Sequence, residues 1–198
     1  MSKTLFNENH FFVSACYFEA ALLLVALLIG YLTDINPFTH LYFSEKALAI
    51  GVIATIPLGF LFIGLHHWQI KSMQTIRQFL IETLCPYLYK RHWSDLLLLS
   101  TITGFSEEVL FRGAIQPWLE SFWSVNVALL VSNLLFGLVH SITPLYALLA
   151  TLVGIYLGIS LDISGERDLL IPIIIHSLYD FFAFMVLMRT YKASQAQG

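Results

Sequence analysis

The stretch DLLLLSTITGFSEEVLFRGAIQPW, residues 95–118, has the length and apolar character of a membrane helix, yet it carries Glu107, Glu108 and Arg112 close together. Each ionisable side chain near a bilayer centre costs about 2.5 to 3.5 kcal/mol, so such a group requires pairing, a water-filled cavity or a function. On a helix, Glu108 and Arg112 lie four residues apart and share a face, where they offset each other's charge. Glu107 is turned by about 100° from Glu108 and faces a different environment. The pattern predicts one carboxylate held by arginine and its neighbour left for chemistry.

The surrounding composition sets the environment. The 198-residue chain is 58% hydrophobic and only 12% charged, with a mean hydropathy of +0.76, which is far too apolar for an ordinary soluble domain of this size. The expected fold class is all-α: a polytopic transmembrane helix bundle forming one integral membrane domain over residues 1–198. Its partners are then the lipid bilayer and whatever enters the bundle. The net charge of −3 is small and there is no basic tract, so nothing points to a nucleic-acid partner and none is expected. Cys16 and Cys85 stand far apart in sequence with no CxxC, and read as small apolar fillers, not as a disulfide or thiolate site.

A hydrocarbon core of about 30 Å takes roughly 20 helical residues. Six runs approach that length: 11–33, 46–68, 94–118, 123–141, 145–161 and 169–188. The first is too long for a signal-peptide core and is read as a retained helix. Trp68, Trp93, Trp118 and Trp123 fall at or beside run ends, where an interfacial aromatic belt places them. Between the second and third runs, Met73, Ile76, Leu80 and Leu84 recur near the helical period among basic residues. They predict an amphipathic helix lying in the interface and interrupted near Pro86. With alternating loops, one side collects Lys3, Lys71, Arg77, Lys90, Arg91, Arg189 and Lys192, the other Lys46 and Arg167. The positive-inside rule then places both termini in the cytoplasm.

Two more polar groupings lie in the apolar runs. His140 ends the fourth run in the sequence Phe136-Gly137-Leu138-Val139-His140, and His176 and Asp180 share a face of the last run at i and i+4. Measured from the cytoplasmic ends at about 1.5 Å per residue, Glu107 lies about 20 Å deep, His176 about 18 Å and Asp180 about 12 Å. His140 lies only a few Å deep on the same boundaries. Glu19 stands well inside the first run with no partner in sequence, and Gly154 and Gly158 form a GxxxG in the fifth that reads as internal packing.

These motifs, EExxxR over Glu107, Glu108 and Arg112, FxxxH over Phe136 and His140, and HxxxD over His176 and Asp180, resemble those of the CAAX protease and bacteriocin-processing (CPBP, Abi) family of intramembrane endopeptidases. The resemblance covers about residues 94–188. It implies that Glu107 activates a water with help from His140, that Arg112 holds Glu108, and that His176 and the residue at 180 stabilise the oxyanion. Asp180 departs from the family's asparagine variant: an ionised aspartate only accepts hydrogen bonds. Its expected role is to orient or charge His176, or to bind a cation.

The resemblance leaves metal dependence open. Glu107, His140 and His176 supply nitrogen and oxygen ligands suited to a divalent metal such as zinc, while a glutamate-dependent reaction without metal uses the same residues. HExxH is absent, as are GxSG and GxGD. The implied substrate is a membrane-associated protein or peptide. The alternatives are a non-proteolytic scaffold or immunity protein of the same fold, and a small proton-coupled transporter. Nothing in the sequence sets the oligomeric state.

Overall fold

The computed structural model describes residues 8–196, and Lys3 of the basic set lies outside them. The described residues form helices joined by loops, without strands. α1 spans Glu8–Thr33, α2 Glu45–His67, α3 Lys71–Leu88 and α4 Trp93–Glu108. A π-helical segment, Val109–Ile115, leads into α5, Gln116–Glu120. α6 (Val125–Val139), α7 (Pro144–Ser160) and α8 (Leu170–Gln195) complete the chain.

Local chemistry sets several boundaries. The Ser44 hydroxyl accepts a hydrogen bond from the Ala47 amide at 3.1 Å to start α2. Thr143 does the same for Tyr146 ahead of α7, with Pro144 preset for the first turn. Pro172 lies in the first turn of α8, where its missing N–H costs no helical bond. Pro117 lacks the N–H that would close an α-helical bond to the Gly113 carbonyl. The Gln116 amide just before it already bonds to Phe111 five residues back, in the wider π pattern.

The outer surface is apolar. On α1 and α2, Tyr17, Phe18, Leu24, Tyr31, Ile53 and Phe60 are all more than half exposed, a pattern suited to lipid contact and unlike a soluble surface. α1, α2 and α8 are each long and apolar enough to cross a membrane. Of the other expected spans, α6 and α7 are shorter apolar helices, and the third is divided into α4, the π segment and α5. α3 follows the predicted stripe: Met73 and Ile76 are buried, and Leu80 and Leu84 pack on the core around Cys85, Leu88, Leu187 and Met188. It runs through Pro86 to Leu88, and the proline costs the helix the one bond its N–H would have made to the Glu82 carbonyl. α8 passes the expected end at Met188 and continues to Gln195. The hydropathy run marked only its apolar portion; the residues beyond it, such as Arg189 and Lys192, are polar but helix-compatible.

α8 packs against α2, α3, α4 and α7, and α1 packs against α4 and the π segment. α4 and α8 approach tightly at Gly104, where a Cβ would collide with the Ser177 hydroxyl and backbone. This approach brings the end of α4 beside the motif on α8. Gly104→Ala is therefore expected to destabilise the bundle by about 1 to 3 kcal/mol through overpacking. Gly64→Ala, where an added Cβ meets open space, should be neutral or slightly stabilising. Unfolding of the two variants in detergent micelles checks the contrast.

Candidate active site

Glu107 and Glu108 end α4, and Arg112 sits in the π segment; all three are almost fully buried. Arg112 donates from Nη1 to Glu108 Oε1 at 2.9 Å, and from Nη2 to Asn133 Oδ1 at 2.7 Å and the Gly154 carbonyl at 2.6 Å. Its guanidinium lies over the Phe136 ring, 5.0 Å from the centroid. Gly154 permits this contact, since a Cβ there would press on Asn133 Oδ1 and Arg112 Nη2. At Gly158 a Cβ would collide with Leu129, so the GxxxG serves packing of α7 against α6 and the arginine network.

Glu108 joins the arginine to α8: its Oε1 also lies 2.7 Å from His176 Nδ1. A carboxylate there accepts, so Nδ1 carries a hydrogen and Nε2 is the nitrogen turned away from Glu108. His176 Nε2 lies 3.8 Å from Glu107 Oε2 and 3.7 Å from Asp180 Oδ2. His140 is fixed in the same manner. Its Nδ1 donates to the Phe136 carbonyl at 2.8 Å, leaving Nε2 at 3.5 Å from Glu107 Oε1. Glu107 thus stands between two imidazoles, each presenting Nε2, and its Oε2 has no hydrogen-bond partner. Phe136 holds the group together by stacking on His140 and meeting His176 and Phe111 edge-on.

The structure therefore brings together Glu107, Glu108, Arg112, His140, His176 and Asp180, all six residues singled out by sequence. The calculated depth of His140 is corrected. α6 ends at Val139, and its C-terminal cap, His140, meets Glu107 at 3.5 Å, so the two side chains lie at similar depth. Asn133 and Gln116 were missed, although both are buried. Asn133 shares a face with Phe136 and His140, at i+3 and i+7, and Gln116 follows Arg112 by four. Tyr146 on α7 and Tyr179 on α8 also lie within electrostatic reach of Asp180; neither has a motif to mark it.

Gln116 donates to Glu120, which grips Arg167 at 2.7 Å. Outside the spanning segments, this carboxylate and Asp162 raise the pKa of the Arg167 guanidinium above its ordinary value. A separate cavity of about 80 Å³, lined by residues including Asn36, His40, Arg112 and Pro117, lies beside Arg112 and includes none of Glu107, His140 and His176. Among the described residues, no group of three or more His, Cys, Asp and Glu stands at metal-holding distance. The two imidazoles face different oxygens of Glu107, and the expected ligand set of Glu107, His140 and His176 is not gathered at metal-holding distance.

Residues 91–182 match the family model described as type II CAAX prenyl endopeptidase Rce1-like. The matched segment runs from the start of α4 into α8 and contains all six site residues, in agreement with the resemblance read from the motifs. No curated protein and no solved structure matches the chain at a significant level.

Proposed function

We propose, for a chain whose site-bearing half is Rce1-like, that it hydrolyses a peptide bond of a membrane-associated protein or peptide, with Glu107 as the general base. The observation that carries this reading is the position of Glu107 between His140 Nε2 and His176 Nε2, at 3.5 and 3.8 Å. A water held beside Glu107 transfers a proton to the carboxylate as its oxygen attacks the scissile carbonyl. The tetrahedral intermediate then collapses, the C–N bond breaks, and Glu107 returns the proton to the leaving amine. His140, fixed through Nδ1, orients the water through Nε2.

As the imidazolium, His176 donates Nδ1–H to Glu108 and keeps Nε2–H for the developing oxyanion, a contact often worth about 3 kcal/mol. Asp180 is its counter-charge and need not itself donate. Asp180→Asn is then expected to lower kcat roughly tenfold, about 1.4 kcal/mol, and to reshape the pH–rate profile. Equal activity at every pH would remove the need for the charge.

A proton-relay reading fits less well. Glu108, Arg112, Gln116 and Glu120 form a polar row, but Arg112 does not deprotonate and so interrupts it. The basic loops favour cytoplasmic termini, and with them a reaction nearer the cytoplasmic half of the bilayer. The test is incubation of the purified protein in bilayers with membrane-tethered peptides, with and without chelator. Cleavage by the wild type is expected; cleavage surviving loss of the Glu107 carboxylate would overturn the assignment, and the chelator arm decides metal dependence.

A further inference from the structure

α1 carries none of the three motifs, yet it adds a carboxyl to the site. Its inward face reads Ala15, Cys16, Glu19, Leu22, Leu23, Ala26 and Gly30 at helical spacing. Ala15 and Cys16 pack on the cluster around Leu96 and Leu99, while Leu22, Leu23 and Ala26 pack on the cluster around Val109 and Phe111. Glu19 falls between the two, on the helix that packs against α4 and the π segment. Neighbouring positions Tyr17, Phe18 and Leu24 point outward and are exposed. Glu19 Oε2 is shielded from solvent and has no hydrogen-bond partner. Its carboxyl lies within electrostatic reach of Glu107, Asp180, His176 and His140, groups contributed by three other helical segments.

An unpartnered buried carboxyl oxygen beside a reaction centre is an acceptor awaiting a donor. A peptide cut inside a bilayer supplies one. To expose its scissile bond the segment must leave its helix, and its freed N–H groups then need acceptors from the protein. We infer that Glu19 accepts a hydrogen bond from a backbone N–H of the unwound substrate next to the scissile bond, making α1 part of the substrate-binding wall. The inference rests on the endopeptidase reading and names a contact that reading does not contain.

The test replaces substrate backbone amides, one at a time on either side of the scissile bond, by esters, which remove the N–H and little else. In the wild type, one ester position is expected to lower kcat/KM about tenfold, the upper end of what one ordinary hydrogen bond contributes. In Glu19→Leu the same ester should cost less than about twofold, because the acceptor is gone. Glu19→Gln keeps an oxygen acceptor and should retain the sensitivity. A residue that merely supports the fold would give equal ester losses with and without the Glu19 carboxyl, which would overturn the proposal.

Binding of the same peptides to a Glu107→Ala background in nanodiscs, with and without Glu19→Leu, repeats the comparison without turnover. Absence of cleavage with the ester pattern intact in binding sinks the endopeptidase reading alone. Cleavage without the pattern sinks the Glu19 contact alone, and absence of binding by every peptide sinks the contact as well.

Discussion

Glu107→Gln is expected to lower kcat by about 10²- to 10⁴-fold, the range that a positioned general base contributes, while leaving unfolding in detergent close to wild type. The reason is where the carboxyl stands. Glu107 faces His140 Nε2 and His176 Nε2 only at the long distances of 3.5 and 3.8 Å, and its Oε2 is unpartnered. Glutamine preserves the volume and one acceptor oxygen but has no basic site, so the loss falls on turnover and spares packing. KM should change little, because the isosteric side chain keeps the shape of the site. The same change at Glu108 should act differently, since its oxygen joins Arg112 to His176. A Glu107→Gln enzyme with wild-type kcat would assign the base elsewhere.

The contrast between these adjacent glutamates was legible in sequence because helical geometry alone separates them. The spacing of Glu108 and Arg112 predicted their pairing, and the 2.9 Å contact has that partnership. What sequence could not supply was depth and inter-helix approach. His140 looked too shallow because a hydropathy run marks where apolar residues stop, not how one helix sits beside another; its 3.5 Å approach to Glu107 places the two at similar depth. The π segment left no periodic signal, because Val109, Leu110 and Phe111 are apolar whichever way the turn is wound. Asn133 was hidden for a related reason. One amide among leucines and valines has no local partner, and its role appears only when α6 is set against the Arg112 guanidinium. Gly104 likewise reads as one small residue in an apolar run until α8 lies against it.

Arg112→Met is expected to destabilise the protein by about 3 to 5 kcal/mol, the usual cost of removing one partner from a buried ion pair. The guanidinium and Glu108 side chains are wholly inaccessible, so no solvent replaces the lost contact. Three acceptors lose the arginine at once: Glu108 Oε1, which keeps only His176 Nδ1–H, Asn133 Oδ1 and the Gly154 carbonyl, contributed by α4, α6 and α7. Arg112→Lys should recover only part of this, because a single ammonium on a flexible stem cannot reproduce the planar fork that bridges all three while lying over Phe136. The double variant Glu108→Gln with Arg112→Met should be more stable than Arg112→Met alone, since it removes the stranded charge. Unfolding free energies of the four proteins form a cycle that isolates the pair. A single Arg112→Met as stable as wild type would show that the pair contributes nothing. Activity should fall in Arg112→Met even where it stays folded: without the arginine, Glu108 is no longer held in place to fix His176 Nδ1, and the Nε2 that faces Glu107 loses its orientation.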